Sequence, residues 1–207
     1  MDTLLPLLVG YGVGSIPLGY LLANQFKGID LRRVGSGNVG AANVYRTAGL
    51  ALAVLVVLVD VMKGAGSVLL TARVTNGSAA PIAAGVAAII GHVYPVWLRF
   101  QGGKGVATAA GVLFGFSAWL GLAAIATWIV IALAFRYSSL ASLAAAAGAP
   151  FYAWFLGLEE SVVIVVAALA LLLGWRHREN IARLAAGTES QLGRKKASPP
   201  DPNAASR

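Results

Sequence analysis

The residues with chemistry to offer lie in three short polar stretches set between long apolar ones. The first, GSGNVGAANVYRTAG from Gly35 to Gly49, sets Ser36, Asn38, Asn43 and Arg46 among glycines, Gly37 included. The second, RFQGGKGVATAAG from Arg99 to Gly111, places Gly102, Gly103 and Gly105 around Lys104, with a hydroxyl at Thr108. The third, WRHREN from Trp175 to Asn180, brings Arg176, His177, Arg178, Glu179 and Asn180 together. Glycines let backbone N–H groups converge on an anion, a helix N-terminus adds partial positive charge, and a lysine supplies a full one. That is the chemistry of a phosphate or polyol site. Taken alone, the second stretch reads equally well as a tight turn with a topogenic lysine, and Arg176 alone reads as a topology signal. The spacing is not that of a nucleotide P-loop, because Gly105 follows Lys104 and the hydroxyl waits until Thr108.

Other polar side chains lie deeper in the apolar runs. Asp60 and Lys63 share one such run. A lone charge at that depth costs about 2.5–3.5 kcal/mol on insertion scales, so the two are expected to form a structural ion pair. His92, preceded by Gly91 and followed by Pro95, is expected as an interior histidine near a bent helix end, with catalysis as the alternative. Ser139 and Ser142 stand at the mouth of another run, where serines cap or pack helices; Ser142 is a secondary site candidate. His177 and Asn180 would share one face of a continuing helix. With no cysteine there is neither a thiolate nucleophile nor a Cys-based metal site. Only Asp60 offers a carboxylate within the membrane region, which disfavours a metal-dependent phosphotransferase; no metal and no cofactor are expected.

The elements that must hold these residues are membrane spans. The chain has 207 residues, 58% of them hydrophobic and 12% charged, too little polar surface to wrap a soluble core of this size. A crossing takes about 20 mostly apolar residues, and the apolar runs predict seven: 3–24, 50–72, 80–98, a short helix at about 105–117, 118–135, 139–157 and 160–175. The fourth is too short to cross unaided and is expected to be buried in protein. The first, with Asp2 and no basic run ahead of it, reads as a retained span rather than a signal peptide. With seven crossings, Lys27, Arg32, Arg33, Arg46, Arg99, Lys104, Arg136, Arg176, Arg178, Arg183 and the Arg194–Lys196 cluster fall on one side, against Arg73 as the lone basic residue opposite. That bias puts the C-terminus in the cytoplasm and the N-terminus outside. The net charge of +8 is scattered singly between apolar runs, so nucleic acid is not the expected partner. Residues 1–190 are expected to form one seven-helix domain, and 191–207 a basic, proline-containing disordered tail able to touch anionic lipid.

GSIPLGYLLA, GSGNVGAANVYR, DVMKG, GHVYPVWLRFQGGKGVAT and HRENIARLAAGTE, in this order, resemble the bacterial acyl-phosphate-dependent glycerol-3-phosphate acyltransferases, over Gly14 to about Glu189. The resemblance implies a seven-helix inner-membrane enzyme with its site facing the cytoplasm. It would move an acyl chain from acyl phosphate to the 1-hydroxyl of glycerol 3-phosphate, giving lysophosphatidic acid for phospholipid synthesis. Ser36, Asn38, Arg46, Lys104, Thr108, His177 and Asn180 would then line the site, with Arg46 and Lys104 on phosphate and Gly37, Gly102 and Gly103 allowing close backbone approach. Lys104, His177 and Asn180 are the catalytic candidates; the general base is either His177 or the substrate's own phosphate. By the same resemblance, Gln101 stands where a lysine or another polar residue is expected in many relatives. No Ser-His-Asp order or nucleophile elbow suggests a covalent intermediate. Neither histidine has an aspartate within the next six residues, which sets aside the other large glycerophosphate acyltransferase class. A membrane carrier for a phosphorylated small metabolite is the competing reading, since cations on small-residue helices can also line a translocation path.

Overall fold

Pro17 has no N–H to donate and interrupts the first apolar run. The helices α1 (Leu4–Ser15) and α2 (Leu18–Lys27) flank it. The computed structural model describes residues 3–193 of the chain. Among them α3 (Ala41–Ala48), α4 (Leu50–Val74) and α5 (Ala79–Val93) follow, then a 3-10 turn (Val96–Leu98). The remaining helices are α6 (Val106–Phe116), α7 (Ala118–Phe135), α8 (Ser138–Phe155), α9 (Glu160–Arg176) and α10 (Arg178–Ala185). No strand occurs among the described residues.

Among the described residues four segments are long and apolar enough to cross a membrane alone: Leu4–Lys27, Leu50–Val74, Ala79–Leu98 and Ala118–Phe135. The pair α9 and α10, bent by 60°, makes a fifth. Seven spans were expected, and two of them fall short of that standard for separate reasons. The α6 helix has only 11 residues, and α8 is diluted by Ser138, Ser139, Ser142, Gly148 and Pro150. Two expected continuities are also broken. The run 80–98 is helical only as far as Val93, because Pro95 cannot continue the ladder and the chain tightens into the 3-10 turn. The helix expected to run on through His177 stops there, with His177 N–H shared between the carbonyls of Leu173 and Gly174.

Small residues let these helices approach closely, as is usual where lipid offers no hydrophobic drive for association. A Cβ on Gly14 would overlap the backbone of Ala88, so α1 lies against α5, and one on Gly111 would overlap the Val61 carbonyl, so α6 lies against α4. Two apolar clusters then enclose α6. Ala109 and Val112 join Val68, Ile89, Val93, Leu169 and Leu173. Leu113 joins Leu120, Ala124, Ala149, Ala153, Val162 and Val166. Neighbours on several sides make a short helix tolerable at membrane depth. A third cluster ties Leu98 to Leu31, Val39, Val44 and Ala23. It sets the segment after α2 beside the turn after α5, at one end of the bundle. Leu4, Leu58, Leu70, Leu133 and Leu171 are among the side chains left more than half exposed around the outside, the apolar coat that a bilayer would cover.

Candidate functional site

The glycine loop is folded back on the helix that precedes it. After α5 ends, Gly102 N–H donates to the Val93 carbonyl and Gly103 N–H to the His92 carbonyl, both at 3.1 Å. These two amides are therefore not free to meet an anion: they satisfy the open C-terminal carbonyls of α5. Close backbone approach is still what the glycines provide, because a Cβ on Gly102 would overlap the His92 carbonyl and one on Gly103 the His92 ring. Arg176 holds the loop from another side. Its Nη2 donates to the Gly103 carbonyl at 3.3 Å and to the Gly102 carbonyl at 3.5 Å, and its guanidinium lies 5.4 Å from the Tyr94 ring centroid. Carbonyl and N–H of a trans peptide point opposite ways, so the Lys104 amide is turned away from Arg176. The groups left for an anion are that amide, the Lys104 ammonium and the free amides of the first turn of α6.

Lys104 Nζ meets Asn180 Oδ1 from the start of α10. Asn180 Nδ2 donates in turn to Glu189 Oε1 at 2.6 Å. The same oxygen accepts from Ser139 Oγ at 2.8 Å, and Glu189 Oε2 accepts from Arg183 Nε at 2.7 Å. One carboxylate thus ties together α8, α10 and the segment after it, and Lys104 is reached through Asn180. His177 is 3% exposed beside them. Its Nδ1 donates to the Leu173 carbonyl at 2.8 Å, since a carbonyl can only accept, leaving Nε2 as the lone-pair nitrogen of the neutral ring.

The charges report the same neighbourhood. Burial first, and then the Arg183 guanidinium, hold Lys104 below the usual lysine range, while Glu189 and Glu179 oppose the shift. Burial likewise holds His177 below its ordinary value, against the bond to Leu173, with Lys104 adding to the depression. Burial pushes Glu189 upward, but its bonds from Ser139, Asn180 and Arg183 outweigh it and leave the carboxyl below the usual range.

The other expected residues are placed differently. In the first loop Asn43 is the organiser: its Oδ1 accepts from Ser36 N–H at 2.9 Å and its Nδ2 donates to the Leu31 and Val34 carbonyls, both at 3.0 Å. Asn38 Oδ1 accepts from Gly40 N–H at 3.0 Å. Ser36, Gly37 and Arg46 are exposed. Among the described residues no hydrogen bond or ion pair joins them to Lys104, His177 or Asn180; the packing around Leu98 is what sets this loop at the same end. Thr108 is fully buried with an unpartnered hydroxyl, in the first turn of α6. Ser142 is engaged in helix packing, donating to the Ser138 carbonyl at 2.7 Å and accepting from Trp128 Nε1 at 3.1 Å. Asp60 and Lys63 stand 2.8 Å apart, with His92 Nδ1 3.5 Å from the same Asp60 oxygen. The Asp60–Lys63 contact is an ion pair by distance rather than an aligned hydrogen bond, since that oxygen lacks a directed donor. No group of three His, Asp or Glu side chains converges among the described residues.

Glu189, Arg183 and Asn43 carry more of this architecture than the sequence reading assigned them. Glu189 ends the quoted HRENIARLAAGTE motif, just past Gly187, whose φ of 67° closes α10; an acid set there after a basic helix was the available signal. The tail expected from Gln191 onward begins docked: Leu192 N–H donates to the Arg136 carbonyl at 2.6 Å and Gln191 Nε2 to the Tyr137 hydroxyl at 3.3 Å. The rest of that tail, 194–207, lies outside the described residues.

A helical bundle with an apolar outer face that gathers lysine, histidine and asparagine over a glycine loop at one end has the frame of a membrane protein, with these residues as its candidate site. A model of the family described as glycerol-3-phosphate acyltransferase matches residues 4–187. The chain is 46% identical over 191 residues to a glycerol-3-phosphate acyltransferase of Rhodopseudomonas palustris (strain HaA2), covering 92% of this chain and 95% of that one. It is 49% identical over 187 residues to one of Jannaschia sp. (strain CCS1), covering 90% and 91%. Among solved structures it is similar to PlsY, an integral membrane glycerol 3-phosphate acyltransferase, in its glycerol 3-phosphate form, with TM-score 0.89 and 40% identity over 93% of this chain and 96% of that one. The lysophosphatidic acid form of that enzyme gives 0.87 and 39%, at the same coverage. The chain therefore belongs to the glycerol-3-phosphate acyltransferase family, whose PlsY type are membrane enzymes.

Proposed function

We propose that the protein transfers an acyl chain from acyl phosphate to the 1-hydroxyl of glycerol 3-phosphate, releasing lysophosphatidic acid and inorganic phosphate. The observation that carries this reading is Lys104, joined to Asn180 at the N-terminus of a buried helix, with neutral His177 alongside. Both proposed substrates bear phosphate, one is a water-soluble polyol and the other carries a fatty chain. A cationic site at the edge of a bilayer suits both. The forms in which PlsY was solved, with glycerol 3-phosphate and with lysophosphatidic acid, support the acceptor and the product.

In the proposed step the glycerol hydroxyl oxygen attacks the acyl carbonyl, and the carbonyl-to-phosphate C–O bond breaks with its electron pair leaving on phosphate. The mixed anhydride has a good leaving group, so no covalent enzyme intermediate is needed. Lys104, the α6 amides and Arg46 hold phosphate and offset charge as the carbonyl becomes tetrahedral; orientation and electrostatics carry the rate. Ser36, Gly37 and Asn38 face the acceptor from the first loop, and Thr108 stands buried in the first turn of α6. The hydroxyl proton passes to the lone pair of His177 Nε2 or to substrate phosphate. The depressed basicity of His177 favours phosphate as acceptor and His177, with Asn180, as the pair that orients the hydroxyl. Ser142 keeps its packing bonds and adds to the site only through α8. Asp60 and Lys63 act as a structural pair.

The same reading places the protein in the bacterial inner membrane with seven crossings: Leu4–Lys27, Leu50–Val74, Ala79–Leu98, α6, α7, α8 and α9. The N-terminus is outside and the loops around Lys104 are cytoplasmic.

The test uses purified protein in detergent with acyl phosphate, glycerol 3-phosphate and a chelator. Lysophosphatidate and inorganic phosphate should appear in equal amounts without added metal. Uptake of glycerol 3-phosphate into sealed vesicles without turnover would point to a carrier instead. Lys104→Ala should lower turnover by a factor on the order of 100–1,000, as loss of a preorganised charge-stabilising donor does, with an unchanged detergent melting temperature.

A further inference from the structure

Beneath the glycine loop lies a polar cluster that acyl transfer leaves without a task. Asp60, on α4, is 3% exposed, and one of its oxygens lacks a directed hydrogen bond. Lys63, one turn on, lies 2.8 Å from that oxygen and 3.5 Å from the Ile16 carbonyl at the break between α1 and α2. His92, in the last turn of α5, brings Nδ1 to 3.5 Å from the same Asp60 oxygen. The cavity these side chains border has a volume of about 10 Å³. That is room for about one water molecule, and no substrate fits there. The cluster acts on something else.

What it touches is the loop. The far edge of the His92 ring, Nε2, lies where a Cβ on Gly103 would stand, and the His92 carbonyl accepts the Gly103 N–H at 3.1 Å. One residue therefore contacts Gly103 twice, by ring and by backbone, immediately before Lys104. Arg176 holds the Gly102 and Gly103 carbonyls from the last span. The loop is confined between a histidine fixed by a buried carboxylate and an arginine, and the Lys104 amide and α6 start where that confinement ends.

We propose that His92, held by Asp60, is a positioning residue that fixes the Gly102–Lys104 backbone and so aims Lys104 and the first amides of α6 at phosphate. Lys63 neutralises Asp60, allowing the carboxylate to sit at this depth without a free charge. The proposal rests on the reading of this loop as the phosphate site and adds the device that shapes it.

The experiment measures binding of inorganic phosphate and of glycerol 3-phosphate by calorimetry, and steady-state KM and kcat, on the full chain in detergent. His92→Phe keeps a flat ring and removes the nitrogen that meets Asp60. It should weaken binding of both probes about tenfold or more, raising KM much more than it lowers kcat, at an unchanged melting temperature. Asp60→Asn should weaken binding of both probes by the same factor, with a lower melting temperature because Lys63 is left without its counter-charge, and the double variant should bind no worse than His92→Phe alone, because two residues acting through one contact are not additive. His92→Gln, which can still present a polar atom to Asp60, should recover affinity to within about threefold of wild type. A folded His92→Phe with wild-type affinity overturns the proposal, as does a double variant whose losses multiply. If His92→Phe does not fold, His92→Asn, too short to reach Asp60 and Gly103 together, takes its place, and wild-type affinity in that variant overturns it equally. Lys104→Ala separates the two levels. If Lys104→Ala binds both probes normally, the loop is not the phosphate site; if only Lys104→Ala loses binding, the loop reading stands and His92 does not position it.

Discussion

Lys104 is a lysine whose surroundings disfavour its charge, by burial and by Arg183, more than Glu189 and Glu179 restore it. Its folded pKa lies below 10.5, so it loses its proton earlier on an alkaline titration than an exposed lysine does. The alkaline limb of kcat/KM should accordingly fall below that value, and Glu189→Gln should move it further down by removing a charge that favours the ammonium. Glu189 works in the opposite pH range. Its folded pKa is depressed below 4.5, so its contribution to stability is present above the unfolded value and lost as pH falls through the folded one. Wild-type protein should lose melting temperature below about pH 4.5 more steeply than Glu189→Gln, which starts lower and stays flatter. Equal slopes for the two proteins would separate Glu189 from acid stability.

At the scale of elements, the site depends on a short helix held in place by its neighbours. The backbone of α6 meets that of α4 at Gly111, where a side chain would strike the Val61 carbonyl. Gly111→Val should cost about 1–3 kcal/mol, the usual range for overpacking, and should impair activity as well, because the helix it displaces carries Lys104 at its N-terminus. The exposed Gly12 of α1 has no atom within 4 Å of an added Cβ, so Gly12→Ala should be silent in both melting temperature and turnover. A wild-type melting temperature in Gly111→Val would mean that the two helices do not meet as described.

At the scale of the molecule, every loop that supplies a candidate residue lies at one end of the bundle. Leu98 packs with Leu31 and Val39, Arg176 reaches Gly103, and Ser139 reaches Glu189. If that end faces the cytoplasm, single cysteines at Arg33 and at Asn76, both exposed, should be labelled from opposite sides of sealed vesicles; the native chain has no cysteine to interfere. Labelling of Arg33→Cys from inside in inverted vesicles, or of both positions from one side, would reverse or remove the proposed topology.

An all-helical membrane chain was legible because hydropathy is a property of consecutive residues, and so were the motifs that place it in its family. Lys104, His177 and Asn180 became candidates through the motifs that carry them, since the glycines and lysine taken alone read equally well as a tight turn with a topogenic charge. Where the helices stop was legible only in part: Pro95 signalled one end, whereas the 60° bend at His177 had no proline to mark it. Partners were not legible at all. The sequence by itself determined which segments are apolar and which residue types stand between them. Only the tertiary structure decided that Gly102 and Gly103 give their amides to α5, that Asn180 links Lys104 to Glu189, and that Asp60 lies against His92. Those pairings are made across segments far apart in the chain, by helices whose crossings are set by small-residue contacts, and no local pattern encodes which distant side chain will be opposite.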